Sequence, residues 1–302
     1  MNVLDLVIIG AGPAGITASI YAARKKLNFT VITKDIGGQA VLSWDIENYT
    51  GYQFITGPDL AIRFREHLEK FDIQLKEQET VLEITKQNNI FKTKTNNSEY
   101  LSKTVLICSG RIPKKLNVEG EEEFKYKGLT YCATCDGPLF KNKEVIVVGG
   151  GNSGFDALLQ LAKIASKVYL LEATNKLLAD PIMIEKANQF KNVEIYTNSR
   201  ITKIYGEKTV SGVKCVINNQ ETEIKVQGIF VEIGSIASSD FIKDVDKNEF
   251  GEIIVNCRCE TSVNGIYAAG DVTTVPAKQI IVACGEGAKA LISLSEYLNT
   301  LK

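Results

Sequence analysis

Two short apolar runs along the chain each lead directly into a glycine-rich turn. Residues 6–9 precede the turn at 10–15, and residues 145–148 precede the turn at 149–154. Continuous runs of this kind are typical of strands buried on both faces of a parallel sheet. Residues 16–26 and 152–164 then show helical spacing, and residues 29–32 and 167–171 form further strand-like runs. The pattern predicts strand, glycine turn, helix and strand, twice in one chain.

Both turns have the spacing G-x-G-x-x-G, which is informative when a strand precedes it and a helix follows. The glycines allow a tight turn and close approach of a pyrophosphate, and the helix N-terminus then faces the phosphate charge. We therefore expect two dinucleotide sites. The candidate residues are Gly10, Gly12, Pro13, Ala14 and Gly15 in the first turn, and Gly149, Gly151, Asn152, Ser153 and Gly154 in the second.

An acidic residue after the second strand of such a unit can accept hydrogen bonds from the ribose hydroxyls of NAD. Glu172 holds that position in the second unit, 23 positions after Gly149. Its charge would repel the 2′-phosphate of NADP, and residues 173–176 hold no arginine cluster. The sequence favours NADH, although Lys176 leaves NADPH open. In the first unit, Asp35 is the nearest acidic candidate.

Cys132 and Cys135 are separated by two residues, and Asp136 follows at once. Two cysteines at this spacing can close a small disulfide ring, and a neighbouring carboxylate can handle the thiol proton. This stretch is the predicted redox centre. We interpret the other five cysteines as buried thiols. We find no second pair of cysteines with the spacing that a metal site would need. These five are Cys108, Cys215, Cys257, Cys259 and Cys284.

Length and charge narrow the function classes. A chain of 302 residues predicts about two domains. The net charge of −1 argues against nucleic acid or an anionic membrane as partner. No apolar run approaches the roughly 20 residues of a membrane span, and the first strand leaves no room for a signal peptide. We expect a cytoplasmic protein.

The remaining pattern suggests where the domains meet. Residues 73–108 alternate polar and apolar positions, which predicts antiparallel strands. Residues 112–127 are charged, and we interpret their acidic run Glu121-Glu122-Glu123 as a linker. A second boundary is expected near residues 240–249. The predicted segments are 1–112, 113–245 and 246–302.

Together these motifs resemble the bacterial low-molecular-weight thioredoxin reductase family over nearly the whole chain. The most specific match is the stretch from Cys132 to Gly137 followed by residues 149–153. Residues 37–39, 47–49 and 269–271 match as well. The second glycine turn and Glu172 look more like the flavoprotein component of alkyl hydroperoxide reductase. That protein prefers NADH and carries an extra N-terminal region that we do not find here.

The resemblance implies an α/β fold with two Rossmann-like, three-layer ββα dinucleotide-binding domains, the second inserted into the first. Residues 1–112 and 246–302 would bind FAD, and residues 113–245 would bind NAD(P)H and carry the cysteine pair. It implies a homodimeric thioredoxin-disulfide reductase that passes electrons from NADH, or NADPH, through FAD to thioredoxin or a thioredoxin-like protein.

The resemblance also implies residue roles. Cys135 would meet the flavin, Cys132 would attack the partner disulfide, and Asp136 would act as acid and base. Glutathione-reductase-type enzymes use a histidine near the C-terminus instead, whereas the one histidine here is His67. Besides the first glycine turn and Asp35, the implied FAD-binding residues are Gly38, Gln39, Asn48, Val81, Gly110, Gly270, Asp271, Lys278, Gln279 and Ile280. Besides the second turn and Glu172, Gly234 is the implied NAD(P)-binding residue.

Several alternatives to this function stay open. A ferredoxin-dependent thioredoxin reductase is one, although the intact second glycine turn argues against it. A peroxide-forming NADH oxidase or a component of a hydroperoxide reductase is another. A non-catalytic redox or nucleotide sensor is a third, which the intact cysteine pair with Asp136 makes less favourable.

Overall fold

The computed structural model describes residues 3–42 and 46–301 of the chain. It divides into two compact units. The first unit comprises Met1–Ile112 and Ile236–Lys302, and the second comprises Pro113–Ser235. The second boundary thus lies ten residues before the position that the sequence suggests. The reason is that Ala237, Ile242 and Val245 are buried in a core of the first unit.

The first unit is built from the two ends of the chain. Short 3₁₀ helices lie at Gly38–Leu42 and Gly270–Val272. Residues Ser235–Ala237 form β16, which pairs with Arg111–Pro113, so the two boundary segments form a small sheet. The other elements are β1 (Leu4–Ala11), α1 (Pro13–Arg24), β2 (Phe29–Ile36), α2 (Gly57–Leu68), β3 (Gln74–Lys76), β4 (Val81–Gln87), β5 (Ile90–Thr95), β6 (Glu99–Ile107), β7 (Arg111–Pro113), β17 (Ile266–Ala268) and α7 (Ile280–Thr300).

The main sheet of the first unit has the order β3-β2-β1-β6-β5-β4, with β17 beside β6. β1 is parallel to both β2 and β6, whereas β4, β5 and β6 are antiparallel. Residues 6–9 of β1 point alternately to opposite faces and all are buried. Leu6 and Ile8 pack towards α1 and α7, while Val7 and Ile9 pack with residues of β4 and β5. The apolar run at residues 6–9 is therefore a strand covered on both sides.

The second unit repeats this plan in the middle of the chain. A 3₁₀ helix lies at Gly137–Phe140. The other elements are α3 (Glu121–Phe124), β8 (Leu129–Thr130), α4 (Ala133–Asp136), β9 (Glu144–Val148), α5 (Asn152–Leu161), β10 (Lys167–Leu171), α6 (Pro181–Ala187), β11 (Val193–Tyr196), β12 (Ser199–Gly206), β13 (Val210–Ile217), β14 (Gln220–Ile224) and β15 (Gly228–Val231).

A parallel sheet of order β11-β10-β9-β15-β8 forms the centre of the second unit. Val145 and Val147 of β9 pack towards α5 and α6 on one face. Ile146 and Val148 pack on the other face, against the antiparallel sheet β12-β13-β14. Helices, parallel sheet and antiparallel sheet form three layers, so the predicted α/β fold with two Rossmann-like domains is confirmed.

The acidic run at 121–123 is not a linker, so that interpretation was wrong. It forms α3, and the buried Glu121 carboxylate accepts hydrogen bonds from the backbone N–H groups of Leu116 and Asn117. The hydroxyl of Tyr131 donates to the same carboxylate at 2.7 Å. Glu121 therefore holds the entry segment of the second unit in place.

Candidate active site

The cysteine pair lies in the second unit, at the start of the short helix α4. Cys132 and Cys135 form a disulfide, with their Cα atoms 5.3 Å apart. Cys132 is the N-cap residue of α4, and the backbone N–H of Cys135 donates to its Sγ at 2.9 Å. A donor at this sulfur favours its negatively charged form once the disulfide opens. Of the two cysteines, Cys132 is thus the better prepared thiolate.

Asp136 is half-buried and is held by a residue that the sequence did not single out. The hydroxyl of Thr130, at the end of β8, donates to Asp136 Oδ2. The same hydroxyl accepts from the backbone N–H of Cys132 at 3.2 Å. Thr130 therefore connects the predicted acid to the first cysteine. No sequence motif marks a lone threonine at the end of so short a strand, so pattern analysis misses it.

The first glycine turn joins β1 to α1 in the first unit. Gly10 has φ of +99°, and a Cβ on Gly15 would overlap the carbonyl oxygen of Gly10. The backbone of Gly38 also approaches closely, because a Cβ there would lie 3.1 Å from the Cα of Gly12. Gly12 is the N-cap residue of α1 and makes no side-chain cap bond. The first N–H groups of α1 are thus available to a phosphate, and the turn fits a dinucleotide.

Other residues with implied FAD roles gather near this turn or near one another. A Cβ on Gly270 would lie 3.0 Å from the Cβ of Ala14. Asn48 Nδ2 donates to Gln279 Oε1 at 3.1 Å, so these two predicted residues are in direct contact. Ile280 packs against a nearby apolar cluster formed by Ile46, Ile55 and Leu60.

Asp271 lies in a charged neighbourhood at the 3₁₀ helix after β17. Burial raises the pKa of its carboxyl, and the positive charges of Lys278 and Arg111 act in the opposite direction. Lys278 and Arg111 also pair with Glu252, at 3.1 Å and 2.7 Å respectively. Lys278 and Asp271 are therefore parts of one electrostatic cluster.

Three further residues with implied FAD roles, Gln39, Gly110 and Val81, lie in different local environments. The amide of Gln39 donates to the carbonyl of Arg111. Gly110 has φ of +65°, and a Cβ there would meet no atom within 4 Å. Val81 is buried at the start of β4. Glu79, two residues before Val81, donates its backbone N–H to the carbonyl of Thr33 in β2.

Asp35 is exposed, and a different residue occupies the position where an acid was sought. Thr33 is buried, and its hydroxyl accepts from the backbone N–H of Ala11, the second residue of the first turn. Thr33 follows Gly10 by 23 positions, the same separation as Glu172 from Gly149. Equal spacing was the signal that could have found it.

The second glycine turn joins β9 to α5 in the second unit. Gly149 has φ of +124°, and a Cβ on Gly154 would overlap the carbonyl oxygen of Gly149. A Cβ on Gly151 would meet no atom within 4 Å, and Gly151 caps α5 without a side-chain bond. The turn thus offers open backbone donors to a phosphate. Gly234, with φ of +89°, is equally open.

The two residues at the start of α5 differ in their contacts. Asn152 exchanges hydrogen bonds with Asp180: its Oδ1 accepts from the Asp180 backbone N–H at 2.8 Å, and its Nδ2 donates to Asp180 Oδ2 at 3.2 Å. Asn152 therefore ties the turn to the start of α6. Ser153 is exposed.

Glu172 lies directly after β10 and accepts three hydrogen bonds. Its Oε2 accepts from the backbone N–H of Gly150 at 2.7 Å, and its Oε1 accepts from the N–H and hydroxyl of Thr174 at 2.7 and 2.8 Å. Burial alone would raise the pKa of Glu172, but the bonds from Thr174 and Gly150 outweigh it and lower the pKa. Glu172 is thus a fixed carboxylate beside the second turn, and each carboxylate oxygen can accept more than one bond.

The other cysteines correct one part of the sequence interpretation. Cys108, Cys215, Cys259 and Cys284 are buried, but Cys257 is exposed, because residues 257–258 form a turn. His67 is exposed on α2. Within residues 3–42 and 46–301, no group of three histidines, cysteines or acids could hold a metal ion. In the same part of the chain, no helix has the length and apolar character needed to cross a bilayer.

Comparison with known proteins places this geometry in a wider group. A family model described as pyridine nucleotide-disulphide oxidoreductase matches residues 4–287. The chain is 38% identical over 306 residues to the F component of alkyl hydroperoxide reductase from Escherichia coli (strain K12), covering 99% of this chain and 59% of that protein. It is also 38% identical over 298 residues to a Bacillus subtilis (strain 168) protein named NADH dehydrogenase, covering 97% and 58%. The chain thus spans less than two thirds of the length of both relatives.

The chain is also similar to solved structures along its whole length. The crystal structure of T. acidophilum thioredoxin reductase has a TM-score of 0.90 and 37% sequence identity, and the match covers 100% of both chains. The matched region therefore covers the positions of both glycine turns and of the cysteine pair between them.

Proposed function

We propose that this chain, which belongs to the pyridine nucleotide-disulphide oxidoreductase family, is a thioredoxin-disulfide reductase. It would carry electrons from NADH through FAD and the Cys132–Cys135 disulfide to the disulfide of thioredoxin or a thioredoxin-like protein. The observation that carries the proposal is the disulfide itself, because it lies directly beside Asp136 in the unit that also holds the second glycine turn. The full-length likeness to a thioredoxin reductase supports it.

The first unit would hold FAD. The N–H groups at the start of α1 would bind its pyrophosphate, and Asp271 would accept from a hydroxyl. Gln39, Asn48 and Gln279 would line the ring. When bound, FAD supplies a carrier that takes two electrons from a nicotinamide and passes them to a disulfide.

The second unit would hold the nicotinamide nucleotide, with NADH favoured over NADPH. The ionised Glu172 would accept from a ribose hydroxyl and repel a 2′-phosphate. The B. subtilis relative is itself named for NADH.

The cysteine chemistry would follow from the local contacts. Reduction opens the S–S bond, and the N–H of Cys135 stabilises the Cys132 thiolate. Cys132 Sγ attacks a sulfur of the partner disulfide, which breaks that bond and forms a mixed disulfide. Asp136 transfers the proton of the reduced Cys135 thiol to the departing partner thiolate, which leaves Cys135 as a thiolate. Cys135 Sγ then attacks Cys132 Sγ, which releases the second partner thiolate and restores the Cys132–Cys135 bond. Thr130 holds Asp136 and the Cys132 backbone in place throughout.

The same proposal includes a homodimer that works in the cytoplasm, with no nucleic-acid or membrane partner. It is tested by following NADH-dependent reduction of thioredoxin by the holoenzyme. Cys132→Ser and Cys135→Ser should each abolish turnover, while Cys257→Ser, at an exposed cysteine outside the pair, should leave it unchanged. Turnover that survives in both active-site variants would contradict the proposal.

A second candidate is NADH oxidation with oxygen as acceptor, or service as a hydroperoxide reductase component. The likeness to the two named relatives favours it. In that case Cys135→Ser would leave peroxide-forming NADH oxidation intact in air. Peroxide production at the same rate as NADH loss, with thioredoxin present and unreduced, would favour this candidate over thioredoxin reduction.

A further inference from the structure

Two glutamates flank the second glycine turn at the same level of the parallel sheet. Val148 of β9 is in register with Leu171 of β10 on one side and with Val231 of β15 on the other. The next residues are therefore Glu172, Gly149 and Glu232 across three neighbouring strands. The backbone N–H of Glu232 donates to the carbonyl of Val148 at 2.8 Å, and a Cβ on Gly149 would overlap the Glu232 carbonyl oxygen.

This level is the carboxyl end of the sheet, where β9 lies between β10 and β15. In open α/β sheets, ligands bind in the crevice outside the carboxyl ends of the strands, where the strand order reverses. Glu172 lies on the side that binds the adenosine ribose. Glu232 lies on the opposite side of the glycine turn, towards the other half of a bound dinucleotide.

The surroundings of the two carboxyl groups are opposite. Glu172 accepts three hydrogen bonds, whereas no hydrogen bond among the described residues reaches the side chain of Glu232. Its charged neighbour is Asp156, from α5, whose Oδ2 already accepts from Gln160 Nε2 at 3.0 Å. Burial, aided by the charge of Asp156, raises the pKa of Glu232 to about 8. The carboxyl group of Asp156 thus has a hydrogen-bond donor in Gln160, whereas the carboxyl group of Glu232 has none among the described residues.

The other charged groups around Glu232 do not offset this arrangement. β10 contributes the ionised Glu172 across the turn, and α5 contributes Asp156. The strands on either side of β15, β9 and β8, end in Val148 and Thr130, which do not titrate. The titratable group beyond the end of β8 is Asp136, an acid whose carboxyl group accepts from Thr130 and which brings no positive charge. Glu232 therefore remains neutral at pH 7, and a neutral carboxylic acid is a hydrogen-bond donor.

We propose that Glu232 is a nucleotide-binding residue, which as a neutral acid donates a hydrogen bond to the half of the nicotinamide nucleotide opposite the adenosine ribose. The inference rests on the proposed function, since it requires the nucleotide at the second turn. Ionisation removes the donor and brings a negative charge towards a pyrophosphate that is itself negative. Affinity for the nucleotide therefore falls as pH rises past the titration of Glu232.

The test is calorimetric titration of the oxidised, flavin-loaded protein with NAD⁺, which binds without passing electrons. Between about pH 6 and about pH 9.5, we expect the wild-type affinity to fall roughly tenfold. Glu232→Gln should keep its affinity across this range. Glu221→Gln, at an exposed glutamate of β14, should fall like the wild type. A flat wild-type profile, or a fall that persists in Glu232→Gln, would overturn the inference.

A second variant guards against a folding defect in the first. Asp156→Asn removes the neighbouring charge, so the fall in affinity should begin at lower pH than in the wild type. An unchanged profile in Asp156→Asn would count against the inference. Absence of NAD⁺ binding at every pH would remove the proposed nicotinamide site, and the role of Glu232 with it. Binding without pH dependence would leave that site standing and refute only the role of Glu232.

Discussion

The two glycine turns share one backbone design. In each, the first glycine has positive φ, and a Cβ on the last glycine would overlap the first glycine's carbonyl oxygen. In each, the residue 23 positions after the first glycine accepts a hydrogen bond from the backbone N–H of the turn's second residue. Thr33 accepts from Ala11 at 3.1 Å, and Glu172 accepts from Gly150 at 2.7 Å.

The turns differ in the side chains on either side. Thr33 and Cys108 flank the first turn, and burial raises the pKa of the Cys108 thiol, so both are neutral. Glu172 and Glu232 flank the second, the one ionised and the other neutral. Under the proposed function, the glycines would provide a common dinucleotide cradle. We expect the two flanking positions to set its charge and, with it, the kind of nucleotide that it favours.

The largest expected effect comes from substituting the last glycine of each turn, where the two turns have the same backbone conformation. Gly15→Ala and Gly154→Ala each force a Cβ into a carbonyl oxygen, and we expect each to destabilise its own unit by at least about 3 kcal/mol. Gly15→Ala should lose FAD, and Gly154→Ala should keep FAD but lose NAD⁺ binding. Flavin absorbance after gel filtration and calorimetry with NAD⁺ measure the two outcomes.

Gly151→Ala is the matched control, because its Cβ would meet no protein atom within 4 Å. It should unfold at the wild-type temperature and lose only NAD⁺ affinity. Loss of both cofactors from every variant would mean that the two turns do not act separately.

The second effect concerns Glu232, the neutral residue beside the second turn. The folded-state pKa of Glu232 is raised to about 8 from an unfolded value of about 4.3, so its contribution to stability is complete below about pH 4 and is lost as pH rises to about 8. As pH rises from about 4 to about 8, the free energy of unfolding of Glu232→Gln should therefore increase relative to that of the wild type by on the order of 3–5 kcal/mol. Urea unfolding across this pH range measures the difference. A constant difference between the two proteins would refute the raised pKa.

The third effect concerns Glu172, the ionised residue beside the second turn. In Glu172→Gln, the side-chain amide nitrogen would face the backbone N–H of either Gly150 or Thr174, so that two donors meet. The substitution should lower the free energy of unfolding by about 1–3 kcal/mol near pH 7. Because the folded-state pKa of Glu172 is lowered, its contribution is present above the unfolded value and is lost as pH falls through the folded value. The cost should thus shrink in acid, which urea unfolding measures. The variant should also discriminate less between NADH and NADPH. A cost that grows in acid would contradict the ionised state of Glu172.

The smallest effect separates two candidates at the first turn. Thr33→Val removes the acceptor of the Ala11 N–H and should cost about 1 kcal/mol in thermal or urea unfolding. Asp35→Asn, at an exposed side chain, should change neither unfolding nor FAD affinity. An effect of Asp35→Asn larger than that of Thr33→Val would show that Asp35 is the functional counterpart of Glu172 after all.

Features that depend on local spacing could be predicted from the sequence. The glycine turns, the cysteine pair and Glu172 all follow from short motifs within one supersecondary unit, and the structure has the turns and the disulfide where the sequence expects them. Thr33 has the same local spacing, but the search was for an acid and so selected Asp35. The residue type was assumed where only the position was fixed.

Features that depend on contacts without a sequence motif could not be predicted in this way. Glu232 is next to Gly149 because the distant strand β15 pairs with β9, and Thr130 contacts Asp136 although no motif marks that threonine. The acidic run at 121–123 looks like a solvated linker, yet Glu121 is buried because neighbouring backbone donors need an acceptor. Charge patterns alone do not reveal such partners.

We propose that electrons enter as NADH at the turn flanked by Glu172 and arrive at Cys132 and Cys135. The decisive measurement is anaerobic stopped-flow absorbance of the flavin, with NADH or NADPH as donor and with thiols counted afterwards. We expect fast bleaching with NADH, slow or no bleaching with NADPH, and new thiols that do not form in Cys132→Ser. Bleaching with NADPH alone would contradict the role of Glu172. Bleaching with neither nucleotide would contradict the nicotinamide site and indicate another donor, with ferredoxin the first to try.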